Sequence, residues 1–133
     1  MRERLGIIDD DQEVLDHFIK TYLDLGLSVY AFKYPERLDA FMSCCQTCDI
    51  ILIDHRLGGS NGANVATKLA KDRKVKAQIF LFSDAVKPEY VDSFKFYFSR
   101  DDLYKNPKKI LSVKKDFVEF AVEASVLMQL SVG

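Results

Sequence analysis

The chain has 133 residues, of which 48% are hydrophobic and 29% charged, and its formal net charge is -1. That length holds one compact domain, since a second would need roughly another 100 residues. Disorder, collagen and a disulfide miniprotein are excluded by composition, nucleic-acid grip by 19 basic against 20 acidic side chains, and a membrane span by the lack of any window near ~20 apolar residues.

Met1-Arg2-Glu3-Arg4-Leu5 passes almost at once into acids, so it does not read as a signal peptide, and a cytoplasmic protein is expected. Arg4 to Ile8 is a short apolar run that predicts a strand, stopped by Asp9, Asp10 and Asp11. Val14, Leu15, Phe18, Ile19, Tyr22 and Leu23 then recur at helical spacing, with Asp11 placed to cap the start and Gly26 to close the end. Leu27 to Phe32 alternates as a strand, and Pro35 is expected in the first turn of a second helix whose inner stripe is Leu38, Phe41 and Met42.

Cysteines crowd into Cys44-Cys45-Gln46-Thr47-Cys48, an odd set that fits reduced thiols rather than a disulfide framework. Cys45 and Cys48 have C-x-x-C spacing, but no second ligand pair accompanies them, because His17 and His55 lie at unrelated spacing. Packed or surface thiols are the expectation, with redox or metal chemistry the alternative.

Asp49 to Asp54 is the clearest strand, its unalternating Ile50-Ile51-Leu52-Ile53 run implying burial on both faces. A glycine-rich turn, Gly58-Gly59-Ser60-Asn61-Gly62, leads into a helix carrying Val65, Ala66, Leu69 and Ala70. Gln78 to Phe82 predicts a fourth strand, Glu89 to Ser93 a short helix, and Lys95 to Ser99 a fifth strand. Asn106-Pro107 is expected to open one long helix over about 107–130. This alternation predicts an α/β fold, a doubly wound five-stranded parallel sheet within a single domain, 1–133. In such a sheet function gathers at the carboxyl ends of the strands.

At those ends stand Asp9-Asp10-Asp11, Asp54, Ser83-Asp84 and Ser99-Arg100. Converging carboxylates repel unless a cation sits among them. Hard oxygen ligands with open positions suit Mg²⁺ (or Mn²⁺), and a hydroxyl with a cationic side chain nearby would complete a receptor for a phosphoryl group. Taken singly, each aspartate reads equally as a turn or helix cap.

Ile7-Ile8-Asp9-Asp10-Asp11, Ile50 to Leu57 with Gly62, and Phe80-Leu81-Phe82-Ser83 resemble the receiver domains of two-component response regulators, over essentially the whole chain. The resemblance implies the flavodoxin-like (βα)5 receiver fold. It makes Asp54 the phospho-acceptor, and Asp9, Asp10, Asp54 and the backbone carbonyl of Arg56 the metal ligands, without a role for the Arg56 side chain. Ser83 falls on the hydroxyl that reaches a phosphoryl oxygen, and Tyr97 on the aromatic switch of the last strand. It implies a histidine kinase or phosphotransfer protein as partner.

Four features depart from the family pattern. Arg100 stands near the position of the family lysine, with Lys105 as the rival, and a guanidinium fork is not interchangeable with an ammonium. Asp84 follows Ser83 where a small residue is usual, and would modulate access of donor and water. Gly58 replaces a usual proline and is expected to loosen its loop. The segment from Ser83 to Arg100 is short, so the fourth helix and the output face should be unusual.

The apolar residues Phe117, Phe120, Val122, Val126, Leu127 and Met128 cover more than one face of the last helix, so homodimerisation or partner docking is expected there. The leading expectation is a phospho-accepting receiver with at most slow self-phosphorylation and self-dephosphorylation, not an enzyme in the usual sense. The alternatives are a pseudo-receiver acting as a phosphorylation-independent interaction module, and, less favoured, a small phosphohydrolase of the haloacid-dehalogenase type reading Asp9 and Asp11 as a D-x-D pair.

Overall fold

The computed structural model describes residues 2–84 and 93–129. Five strands form one all-parallel sheet in the order β2-β1-β3-β6-β7: β1 (Arg4–Asp9), β2 (Ser28–Lys33), β3 (Ile50–Asp54), β6 (Gln78–Ser83) and β7 (Tyr97–Ser99). A two-residue hairpin pairs β4 (Arg56–Leu57) with β5 (Ser60–Asn61) just beyond β3. Its turn is Gly58-Gly59 with φ of +44° and +89°. Both central positions of such a turn need positive φ, so the glycines define the hairpin instead of loosening a loop.

The strands expected from sequence are all present, and β3 is buried along its whole length, as its β-branched run requires. Helix α1 (Gln12–Asp24) starts where the Asp11 carboxylate accepts from the Glu13 N–H at 2.9 Å. It ends where the Gly26 N–H donates to the Leu23 carbonyl. Helix α2 (Leu38–Cys44) begins later than expected: Pro35 lies in a turn after a cis Tyr34–Pro35 bond, not in the first helical turn. Helix α3 (Gly62–Lys71) is capped by Asn61, whose side-chain oxygen accepts from the Ala63 N–H at 2.8 Å. The short helix expected at Glu89 to Ser93 falls, but for Ser93, outside the described residues.

The single helix expected over 107–130 is divided. Helices α4 (Arg100–Lys105) and α5 (Lys109–Ser112) pack near α1, where Tyr104 meets Phe18 edge-on at 5.1 Å and the Tyr22 hydroxyl donates to the Pro107 carbonyl at 2.9 Å. Val113 then turns extended, and the Asp116 N–H donates to the Gln78 side-chain oxygen at 2.8 Å, at the foot of β6. Helix α6 (Phe117–Gln129) starts there, with the Asp116 carboxylate accepting from the Glu119 N–H.

It lies against α3, not α1, and buries Phe120, Ala124 and Leu127. Phe120 meets Phe96 edge-on at 5.9 Å, and the Glu123 carboxylate accepts from the Lys95 and Phe96 N–H groups at 2.6 and 3.0 Å. Right-handed crossovers in this strand order put α1 and α3 on opposite faces. The chain therefore passes under the sheet between α5 and α6. One face of α6 stays open, with Val118 at 78% and Val122 at 61% exposure.

Candidate functional site

Because the strands are parallel, the residues that end β1, β3 and β6 arrive at one edge. Asp9 closes β1 and Asp54 closes β3, its direct neighbour, while Asp10 opens the turn to α1. One ligand oxygen from each of Asp9, Asp10 and Asp54 lies within 4.8 Å of the others. They line a cavity of about 350 Å³ together with Asp11, Arg56, Asp84 and Arg100.

Backbone amides hold the two buried acids in place. The Asp11 N–H donates to Asp9 Oδ1 at 2.9 Å, and the Arg56 N–H donates to Asp54 Oδ1 at 3.2 Å. Burial, reinforced by the charge of Asp54, pushes the Asp9 carboxyl up to about 9. Burial also pushes Asp54 up to about 7, with the Asp10 and Asp84 charges adding and the Arg56 N–H opposing. Acids so far above their ordinary range lack compensating positive charge, and three hard oxygen donors on one edge fit Mg²⁺ or Mn²⁺. Asp11 lines the cavity, but its carboxylate is engaged as the α1 cap.

Of the two basic candidates, Arg100 lines the cavity, and its guanidinium stands 5.8 Å from the Tyr104 ring centroid. Lys105 ends α4, is exposed, and does not line the cavity. Ser83, the last residue of β6, is buried beside the site and pairs in register with Ser99. The Arg56 side chain, expected to play no part, reaches Asp84 across the mouth of the cavity, Nη1 to Oδ1 at 3.9 Å. This exposed pair contributes little to stability, about 0–1 kcal/mol. It places one charge of each sign side by side at the cavity wall.

Tyr97 is buried on β7, and its hydroxyl shares a 2.6 Å hydrogen bond with His55 Nδ1, the rings meeting edge-on at 5.2 Å. His55 directly follows Asp54 and is itself buried, which lowers its pKa and keeps the imidazole neutral. Sequence reading missed this partner, because the two residues stand 42 positions apart and only the β6–β7 pairing brings them together. The one signal was a polar residue continuing a strand buried on both faces. Tyr97→Phe is expected to leave His55 Nδ1 unpaired at a cost of about 1–3 kcal/mol, read as a melting-temperature fall of several degrees.

Gly62 completes the geometry. Its N–H donates to the His55 carbonyl at 2.8 Å, and a Cβ on it would stand 2.0 Å from the Asp54 carbonyl oxygen. The first turn of α3 is thereby laid directly on the backbone of Asp54.

No family model matches the chain, and no curated protein matches it. Solved structures do. The chain is similar to the chemotaxis response regulator CheY4 of Vibrio cholerae, at 15% identity and a TM-score of 0.64 over 83% of this chain and 99% of that one. It is similar to the signal receiver domain of a DNA-binding response regulator (merR) of Colwellia psychrerythraea 34H, at 15% identity and a TM-score of 0.66 over 84% and 99%. A third is the BeF3-activated N-terminal receiver domain of Klebsiella pneumoniae RstA, at 16% identity and a TM-score of 0.63 over 84% and 100%. The fold is that of CheY-like receiver domains.

Proposed function

We propose that the chain is a signal receiver that accepts a phosphoryl group on Asp54 and in doing so switches a protein-interaction surface. The observation that carries this reading is the meeting of Asp9, Asp10 and Asp54 within 4.8 Å on a receiver-type sheet edge, with Arg100 in the same cavity wall. The donor is a histidine kinase or phosphotransfer protein, approaching the face between Asp54 and α1 in the cytoplasm. Among the described residues no helix is long and apolar enough to cross a membrane.

In the reaction an Asp54 oxygen attacks phosphorus in line, the bond from phosphorus to the donor's nitrogen breaks, and the departing imidazole takes up a proton. Asp9, Asp10, Asp54 and the Arg56 carbonyl would hold Mg²⁺ (or Mn²⁺), which when bound supplies positive charge to the acids and to the phosphoryl oxygens. Arg100 offers a second cation to the transferred group, and Ser83 a hydroxyl donor. The Asp84–Arg56 pair tunes access of donor and water. Tyr97, tied through its hydroxyl to the residue after Asp54, relays the added charge to β7. The chain's own catalysis is confined to slow self-phosphorylation and self-dephosphorylation, so it is not an enzyme in the usual sense. The open valine stripe of α6 is a surface for a partner or a second copy.

Intact-mass measurement after acetyl phosphate and Mg²⁺ tests the reading. One added phosphoryl group is expected on the native chain and none on Asp54→Asn. A native chain that binds Mg²⁺ and stays folded but gains no mass would instead be a pseudo-receiver, acting through its surfaces alone.

A further inference from the structure

Two thiols meet at the far end of the sheet from the acids. Cys44 closes α2, and Cys48 follows the tight turn Cys45–Thr47. Their Sγ atoms are 3.9 Å apart, and the Cys48 thiol donates to the Cys44 carbonyl at 3.4 Å. The neighbours therefore differ from the Cys45–Cys48 pair that C-x-x-C spacing offered as the alternative. Cys45 is fully buried, whereas Cys44 is partly exposed.

The residues on both sides of Cys48 are pinned to the start of β1. Arg4 Nη2 donates to Thr47 Oγ1 at 3.2 Å, the Arg4 N–H to the Asp49 carboxylate at 2.9 Å, and the Asp49 N–H to the Arg4 carbonyl at 2.8 Å. Gly6 leaves the room that the Cys48 sulfur fills, since a Cβ there would stand 3.0 Å from it. Cys48 is thus fixed, and the remaining approach to the ~2.05 Å of an S–S bond falls to the Cys44 side chain at the helix end.

We propose that Cys44 and Cys48 form a reversible dithiol redox site, in which Cys44 meets a hydroperoxide and Cys48 resolves the product. The Cys44 thiolate attacks one peroxide oxygen, and the O–O bond breaks. Sulfur is oxidised to a sulfenic acid, and the departing oxygen takes a proton to leave as water or alcohol. The Cys48 sulfur then attacks the sulfenic sulfur, the S–O bond breaks, and the hydroxide departs as water with the Cys48 proton. Burial and the neighbouring Cys44 push the Cys48 thiol up to about 12, so Cys48 is not the thiol that meets the peroxide, and it attacks only as its proton passes to the departing oxygen. The length of β3, at about 3.3 Å per residue, separates this turn from Asp54. Oxidation therefore reads out independently of phosphorylation.

The test is non-reducing intact mass and peptide mapping of the native chain after hydrogen peroxide. The expected result is loss of two hydrogen masses with a Cys44–Cys48 link, reversed by dithiothreitol. Cys45→Ser keeps the link, whereas Cys44→Ser and Cys48→Ser lose it. Without oxidant, phenylarsine oxide, which bridges paired thiols, should bind one equivalent to the native chain and to Cys45→Ser, and none to Cys44→Ser. Cys44 is partly exposed, so this variant is expected to fold, with an unchanged circular dichroism spectrum as the check. A link that includes Cys45, a sulfenic or sulfinic acid left unresolved on Cys44, or an unchanged mass would each overturn the proposal.

Discussion

Replacing Gly62 by alanine is expected to cost about 3 kcal/mol or more of folding stability, and to lower the melting temperature by about 10 °C. The reason is close approach and not backbone conformation. The new methyl would stand 2.0 Å from the Asp54 carbonyl oxygen, 2.9 Å from its carbon and 3.0 Å from Ile53 Cγ2. None of those contacts is with the free end of a flexible side chain. Either the end of β3 or the first turn of α3 must move, and the 2.8 Å hydrogen bond from the Gly62 N–H to the His55 carbonyl must give way with it. Because Asp54 is the displaced residue, cation binding should weaken along with stability. A variant that melts within a degree of the native chain would show that α3 does not rest on Asp54.

The second large effect concerns pH and divalent cation together. Asp9 and Asp54 titrate in the folded chain near 9 and 7 rather than at the ordinary 3.8. Between pH 4 and 9 the native state therefore binds protons that the unfolded chain has released, and stability falls as pH rises through that window. Below it both acids are neutral in both states, and the penalty vanishes. The groups around them are the acids Asp10, Asp11 and Asp84 and the cations Arg56 and Arg100.

Magnesium should oppose the loss. At 100 times its dissociation constant it adds about 2.7 kcal/mol, read at pH 8 as a rise of roughly 5–10 °C in melting temperature. At pH 5 protons hold the same oxygens, and the rise should shrink to a degree or two. Asp9→Asn is expected to flatten the cation-free pH profile and to abolish most of the magnesium effect. Equal magnesium stabilisation at pH 5 and pH 8 would contradict the assignment.

Much of this was legible in the residues. An apolar strand buried on both faces and ending in a carboxylate, Ile50 to Asp54, has few readings, and parallel strands carry their ends to one edge. That alone brings Asp9, Asp10, Asp54 and Arg100 to one edge among other strand-end residues, and the resemblance to receiver domains is what singled them out; they do line one cavity. What resisted reading depends on contacts between distant segments. The break at Val113 and the cap at Asp116 arise because Gln78, at the foot of another strand, catches the Asp116 N–H. Within Lys114-Lys115-Asp116 nothing distinguishes that aspartate from an ordinary surface charge. The His55–Tyr97 bond and the Arg56–Asp84 pair likewise join residues that only the sheet order makes neighbours. The thiols are free and mostly buried, as expected, but C-x-x-C spacing points to the wrong neighbours: a helix end followed by a tight turn presents Cys44, not Cys45, to Cys48.

Helix α3 touches the backbone of Asp54 with its first residue, and along its length carries α6, where the Thr67 hydroxyl donates to Met128 Sδ at 3.0 Å. Ten residues make a rod of about 15 Å. Pivoted at Gly62, a tilt of about 5° would swing its far end by roughly 1 Å, and the docked valine ridge with it. A single rod thus joins the carboxyl end of the Asp54 strand to an open apolar surface on the opposite side of the helical layer.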